Sequence, residues 1–232
     1  MEATFTRRLE ARPGTVDAFV FEEVFQRDHY RLPRLAADDA VVDIGAHVGA
    51  FSRLAVLRGS RQVVAFEPDP ENFARLRANT QREDDAVLAV NAAVVGGSGV
   101  HFRRLSTYRT LGDAAPMRLR GLVDTACASF FRPELGEKGP LVFCVGIGEL
   151  LRGHSVRFLK LDCEGSEWDI LDTPGILHGV QELAMEYHSF LARPGALATT
   201  IERIEAHGFE VTTAPSDELP DAGMLYARRK RR

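Results

Sequence analysis

The sequence predicts an α/β fold: a mostly parallel twisted sheet with helices on both faces and an antiparallel final strand. Three observations lead there. The chain has 232 residues, 45% hydrophobic and 27% charged, enough to bury a full core. Short apolar runs alternate with stretches of helical spacing, the pattern of strands joined by crossover helices. Each of these runs ends in polar residues, at the edge where a parallel sheet collects its ligands.

The elements follow in order. Residues 1–39 precede the sheet and form a helical cap, with apolar residues at helical spacing from Val16 to Phe25. Ala40 to Ile44 is an apolar run ended by glycine, a buried strand. Val48 to Leu57 is a helix closed near Gly59, and Gln62 to Phe66 the second strand. Pro70 to Arg82 is a helix with Asp69 as its N-cap and Pro70 in its first turn. Ala86 to Val95 reads as one third strand. The rhythm then weakens. A short strand at Val100 to Arg104 leads into a loop-rich insertion, residues 104–140, followed by a strand at Leu141 to Val145 and a helix at Ile147 to Leu151. It resumes with strand Val156 to Leu161, helix Ser166 to Leu171, strand Val180 to Tyr187 and helix Gly195 to His207. Phe209 to Thr213 and Met224 to Arg228 close the sheet as an antiparallel pair. The whole, 1–232, reads as a single domain.

Composition narrows the function. The net charge is -4 and the pI about 6.0, which speaks against a nucleic-acid partner. Mean hydropathy is -0.14, and no apolar run approaches the roughly 20 residues of a membrane helix. The start, Met1 to Arg8, carries no apolar signal core. Cys127, Cys144 and Cys163 are too few and too scattered for a disulfide framework or a zinc site, so a reducing, cytoplasmic setting is expected. Lysines are only Lys138, Lys160 and Lys230, so the abundant arginines reflect coding bias rather than a binding signal. The terminal run Arg228 to Arg232 is read as a solvated end.

The strand ends carry the chemistry. The first delivers Asp43-Ile44-Gly45-Ala46-His47-Val48-Gly49 and the second Glu67-Pro68-Asp69. The third delivers Asn91-Ala92, the fourth Asp162-Cys163-Glu164-Gly165-Ser166-Glu167, and the fifth Glu186-Tyr187-His188. Gly45 and Gly49 permit a tight turn and the close approach of a ligand. The helix that follows offers its amides to a carboxylate, and Asp43 stands where it can accept a bond from an ammonium. Glu67 is placed for two ribose hydroxyls, and Asn91 for a base edge. An amino acid, a ribose and a base together describe S-adenosylmethionine (SAM). A dinucleotide site, as in an NAD-dependent oxidoreductase, would show G-x-G-x-x-G, whereas the spacing here is Gly45-x-x-x-Gly49.

Five stretches carry a resemblance: Val42 to Gly49, Ala65 to Phe73, Asn91 to Val94, Leu159 to Glu167 and Met185 to His188. In them the chain resembles the FkbM family of SAM-dependent methyltransferases, most specifically through Leu159-Lys160-Leu161-Asp162-Cys163-Glu164-Gly165-Ser166-Glu167. The resemblance implies a Rossmann-like class I methyltransferase fold and an O-methyltransferase acting on a hydroxyl of a sugar, polyketide or similar secondary metabolite. It implies that Asp43, Gly45, His47, Gly49 and Glu67 surround SAM. Ala46, Pro68, Asn91, Ala92 and Asp162 complete the expected cofactor set. The 104–140 stretch departs from the family pattern, which leaves the acceptor open.

A hydroxyl is a poor nucleophile near neutral pH and needs a base or a metal. His188 is the expected base, with Asp162 and Glu164 orienting the acceptor. Those three could also hold a divalent cation, but no metal is assigned. Three alternatives stand beside this reading: a non-catalytic SAM-binding module, an NAD-dependent oxidoreductase, and methylation of nitrogen or RNA. The expected partner is a hydroxylated small molecule, with the protein a monomer or homodimer and residues 1–39 and 104–140 roofing the pocket.

Overall fold

In the computed structural model of the chain, residues 9–81, 83, 85–105, 109–110, 121–126, 139–189, 192, 195–217 and 221–231 are described. The first half runs α1 (Asp17–Phe25), β1 (Ala40–Ile44), α2 (Ala50–Arg58), β2 (Gln62–Phe66), α3 (Pro70–Thr80), β3 (Val87–Val90), β4 (Ala93–Val95) and β5 (Val100–Arg104). Two short strands follow, β6 (Arg109–Thr110) and β7 (Val123–Asp124). The second half runs β8 (Leu141–Gly146), α4 (Ile147–Leu151), β9 (Val156–Leu161), α5 (Glu167–Asp172), β10 (Val180–His188), α6 (Ala196–Ala206), β11 (Phe209–Pro215) and β12 (Ala222–Arg229).

Seven strands form the main sheet in the order β11-β12-β10-β9-β1-β2-β3. From β3 across to β10 the strands are parallel, and β12 runs antiparallel to both β10 and β11. The order reverses between β1 and β9, the switch point at which such a sheet opens a crevice along its carboxyl edge.

The strand period of two builds a core on each face. Val42, Leu159, Leu183 and Met185 pack with Trp168 and Ile170 of α5 and Ile204 of α6. Their neighbours Val41, Phe158 and Ala184 point the other way, onto Val24 of α1, Tyr30, and Phe51 and Leu54 of α2. Nearly continuous apolar runs are what burial on both faces requires.

Helix α3 begins as its sequence predicts. Asp69 accepts bonds from the amides of Glu71 and Asn72 at 2.9 and 3.0 Å, and Pro70 takes the first turn. The single third strand expected over Ala86 to Val95 is instead two. β3 ends at Val90 on the main sheet, while β4 crosses to a three-stranded sheet of order β4-β8-β5. The break falls at Asn91, whose side-chain amide donates to the carbonyls of Glu67 (2.8 Å) and Pro68 (3.1 Å), tying the chain to the end of β2. The residue type that favours a local side-chain bond over the ladder decides the split.

Most of the 104–140 stretch, Cys127 and residues 1–8 of the cap lie outside the described residues. Cys144 and Cys163 are unbridged. No helix among the described residues is long and apolar enough to cross a membrane.

Candidate active site at the carboxyl edge

The crevice floor is made by two loops pressed together. Gly45 has φ +78°, and a β-carbon there would lie 1.7 Å from the Asp162 carbonyl oxygen. Only glycine lets the loop after β1 meet the loop after β9. The space expected for a ligand over this glycine is therefore filled by backbone. Gly49, at φ +87°, caps α2, and its missing β-carbon admits Leu76, whose Cδ1 would be 2.8 Å away. The amides of Gly45 and Ala46 both donate to Phe66 O, at 3.0 and 2.9 Å, binding the loop to the end of β2.

Beneath that floor runs a charged chain. Asp43 and Lys160 are register partners in β1 and β9, so their side chains share a face. Lys160 Nζ stands 3.1 Å from Asp43 Oδ1, and Ser52 Oγ donates to Asp43 Oδ2 at 2.6 Å. Asp43 has no exposed surface. Its expected bond to a ligand ammonium is corrected accordingly: the carboxylate faces inward and acts on the loop through Lys160. That ammonium donates to Gly45 O at 2.5 Å and lies 3.4 Å from Asp162 Oδ2, which also accepts from Tyr30 OH at 2.7 Å. Burial opposes the charge on Lys160, but Asp43 and Asp162 outweigh it and hold its pKa above the ordinary lysine value. Burial likewise opposes ionisation of Asp162, and Lys160 and the Tyr30 hydroxyl reverse that, so its pKa is lowered. The Asp162 side chain retains 23% exposure, so this is where the chain of charges reaches the crevice.

At the end of β2, Glu67 is buried and accepts from the amides of His47 and Asp69, both at 2.8 Å. Burial pushes its carboxyl up to about 7 against the pull of those two amides. Pro68, Asn91 and Ala92 adjoin it through the Asn91 side-chain bonds.

His47 takes φ +50° between the two glycines. Its Nε2 is 2.9 Å from Thr125 Oγ1, and that hydroxyl donates to Asp17 Oδ1 at 2.9 Å. The hydroxyl proton is thus engaged, so Nε2 carries the imidazole proton and Nδ1 keeps its lone pair. Nδ1 is buried with no hydrogen-bond partner. Burial lowers the His47 pKa to about 4 despite nearby Asp17, so the ring is neutral. Asp17 itself would be raised by burial, but Arg12 bonds both its oxygens at 2.8 Å and brings it to about 2. Arg12 Nη2 also donates to Asn72 Oδ1 at 2.6 Å, and Asn72 Nδ2 to Thr125 O at 2.9 Å. Residues 12–17 and 123–125 thereby cover the end of α3 and the glycine loop, joined to each other by Val16 N to Val123 O at 3.2 Å.

The far side of the crevice is acidic. Glu167 accepts the amides of Cys163 (2.5 Å) and Gly165 (2.7 Å), so it braces the turn that carries Glu164. Glu164 is buried with φ +53°. His188 is 4% exposed at the end of β10. Its Nε2 lies 4.0 Å from Glu186 Oε1, while His29 Nε2 lies 3.8 Å from Glu186 Oε2. Burial works against protonation of His188, yet Glu164, Glu186, Glu167 and Asp162 together raise its pKa. Glu23 of α1, half-buried near His29 and Glu186, is pushed up to about 7 by desolvation. Among the described residues no group of three or more His, Cys, Asp and Glu side chains is arranged to hold a metal ion.

The structure thus brings Asp43, Gly45, Ala46, His47, Gly49, Glu67, Pro68, Asn91, Ala92, Asp162, Glu164 and His188 to one edge, Asp43 below its surface. Asp17, Glu23, Asn72 and Thr125 were not expected there, since their approach depends on long-range contacts. Lys160 had a local signal: it is the one lysine inside an apolar strand. A separate cleft of about 730 Å³, lined in part by Ser98, Arg152, His154 and His178, opens at the opposite end of β9 and touches none of these residues.

Residues 43–211 match the family model described as the methyltransferase FkbM domain. The chain is 32% identical to the 31-O-demethyl-FK506 methyltransferase FkbM of Streptomyces tacrolimicus, over 87% of this chain and 84% of that one. Its structure is similar to the crystal structure of methyltransferase FkbM from Methylobacillus flagellatus, with TM-score 0.52 and 17% identity, over 97% of this chain. The match spans 57% of that longer chain. A Streptococcus mutans protein solved in complex with S-adenosylhomocysteine (SAH) has TM-score 0.51 and 9% identity, over 90% of this chain and 97% of its own. The topology is that of the Rossmann-like class I methyltransferases.

Proposed function

The chain belongs to the FkbM methyltransferase family, and from that premise we propose that it moves the methyl group of SAM to a hydroxyl of a small molecule. One observation carries the cofactor assignment. Glu67 is buried at the end of β2 with each oxygen oriented by a backbone amide, and beside it the neutral His47 holds an unpartnered lone pair at Nδ1. A carboxylate and a bare acceptor held together suit the hydroxyls and N–H groups of an adenosine. Gly45, Ala46 and Gly49 shape the loop, Pro68, Asn91 and Ala92 border the base, and Asp162 faces the methionine moiety. The neighbour solved with SAH supports the same choice of cofactor. A relative named for the 31-O-demethyl form of its substrate supports oxygen as the receiving atom.

Bound SAM supplies a methyl group already activated by its sulfonium. The protein's part is to position the acceptor and remove its proton. His188 takes the hydroxyl proton, and the imidazolium that results is stabilised by Glu164, Glu186, Glu167 and Asp162. Asp162 is a poor base because Lys160 and Tyr30 favour its ionised form. Within a single domain, residues 12–17 and 123–125 roof the pocket, a role supported by the bonds that link them.

Calorimetry with SAM, SAH and NAD tests the cofactor, and methyl transfer from labelled SAM to a panel of hydroxylated metabolites tests the reaction. Binding of SAM and SAH with methylated product is the expected result. Tight NAD binding without SAM binding would overturn the proposal. SAM binding without transfer to any acceptor would point to a non-catalytic module.

A further inference from the structure

Tyr30 precedes the stretch matched by the family model, yet its hydroxyl donates to Asp162 Oδ2 at 2.7 Å. Its ring is locked. His29 meets it edge-on at 5.1 Å, Phe51 does so from α2 at 5.1 Å, and Lys160 Nζ lies 5.3 Å from its centroid. Lys160 also faces Oδ2, at 3.4 Å. Among the described residues, Tyr30 and Lys160 thus both engage Oδ2, which leaves Oδ1 for a ligand in the crevice. The backbone of Asp162 rests against Gly45, so this carboxylate lies beside the loop proposed for the methionine moiety. The other carboxylate of the pair of strands, Asp43, is sealed below and paired with Lys160 and Ser52. One anion remains at the place where an amino acid's ammonium would arrive. Burial and the nearby acids keep the phenol well above its ordinary pKa, so it stays a donor throughout the neutral range.

We propose that Tyr30 is a positioning residue that fixes the Asp162 carboxylate so that Oδ1 receives the ammonium of the cofactor's methionine moiety. This rests on the SAM reading above and extends it to a residue outside the matched domain.

The test compares SAH with its analogue lacking the amino group, both titrated calorimetrically into the full chain. Wild type should prefer SAH by about 10- to 100-fold, the range of a charge-assisted hydrogen bond. Tyr30→Phe keeps the ring and removes the donor. Its Kd for SAH should rise about tenfold, while its Kd for the amino-free analogue stays within about twofold of wild type. Asp162→Asn should abolish the preference altogether. Equal weakening of both ligands in Tyr30→Phe would mark a merely structural tyrosine and overturn the inference, as would an unchanged preference. Wild type binding neither ligand would overturn the cofactor reading and this inference together, so the two failures are distinguishable.

Discussion

Lys160 and Asp43 face each other across adjacent strands, Nζ 3.1 Å from Oδ1, with side chains 3% and 0% exposed. Their attraction offsets the desolvation of both only while both are present. Lys160→Met should therefore destabilise the protein by about 3–5 kcal/mol by leaving a buried carboxylate without its cation. Adding Asp43→Asn should recover part of that loss. Urea denaturation of the two single variants and the double variant measures the coupling, and strictly additive losses would show that the pair does not interact.

Glu67→Gln keeps the shape of the side chain and removes its charge. If the carboxylate holds the cofactor's sugar, the Kd for SAH should rise roughly 10- to 100-fold, the range for hydrogen bonds to a charged group. Calorimetry decides, and wild-type affinity in the variant would move the ribose elsewhere.

His47 and Glu67 pull the pH dependence of stability in opposite directions. His47 titrates near 4 when folded against 6.5 ordinarily, so its contribution is whole above 6.5 and is lost as pH falls to about 4. Glu67 titrates near 7 when folded against 4.5 ordinarily, so its contribution is whole below 4.5 and is lost as pH rises through about 7. Relative to wild type, the Tm of Glu67→Gln should climb between pH 4.5 and 6.5, and that of His47→Gln should decline. Thermal melts across this window test both signs, and parallel curves for all three proteins would refute the assignment.

His188→Gln should lower kcat by about 10²- to 10⁴-fold, the usual contribution of a general base, with the Kd for SAH near wild type. Because the surrounding carboxylates raise its pKa, the wild-type kcat should rise with pH along a limb centred above 6.5. The variant should lack that limb. A pH–rate profile with unchanged turnover would remove His188 from the role.

The parallel core was legible because its strands are largely apolar runs, and the sheet edge because polar residues follow each of them. The split of the third strand was not, since Asn91 reveals its choice only once the end of β2 is beside it. Asp43 illustrates the same limit. Its place at a strand end is written in the chain, but whether it faces the ligand or a lysine more than a hundred residues away depends on strand order. Asp17 and Thr125, or Tyr30 and Asp162, meet across separations that no local period encodes. His188, Asp162 and Glu164 were found by their positions, while Glu186 and Glu167, which also tune the imidazole, were read only as part of strand ends.

Gly45 and the Asp162 carbonyl touch so closely that neither loop can shift without carrying the other. The lower half of the crevice is consequently one rigid block, with adaptation confined to what lies above it. Attempts to retune this methyltransferase toward a different acceptor should concentrate their libraries on the covering segments and treat the glycine and its opposing peptide as fixed.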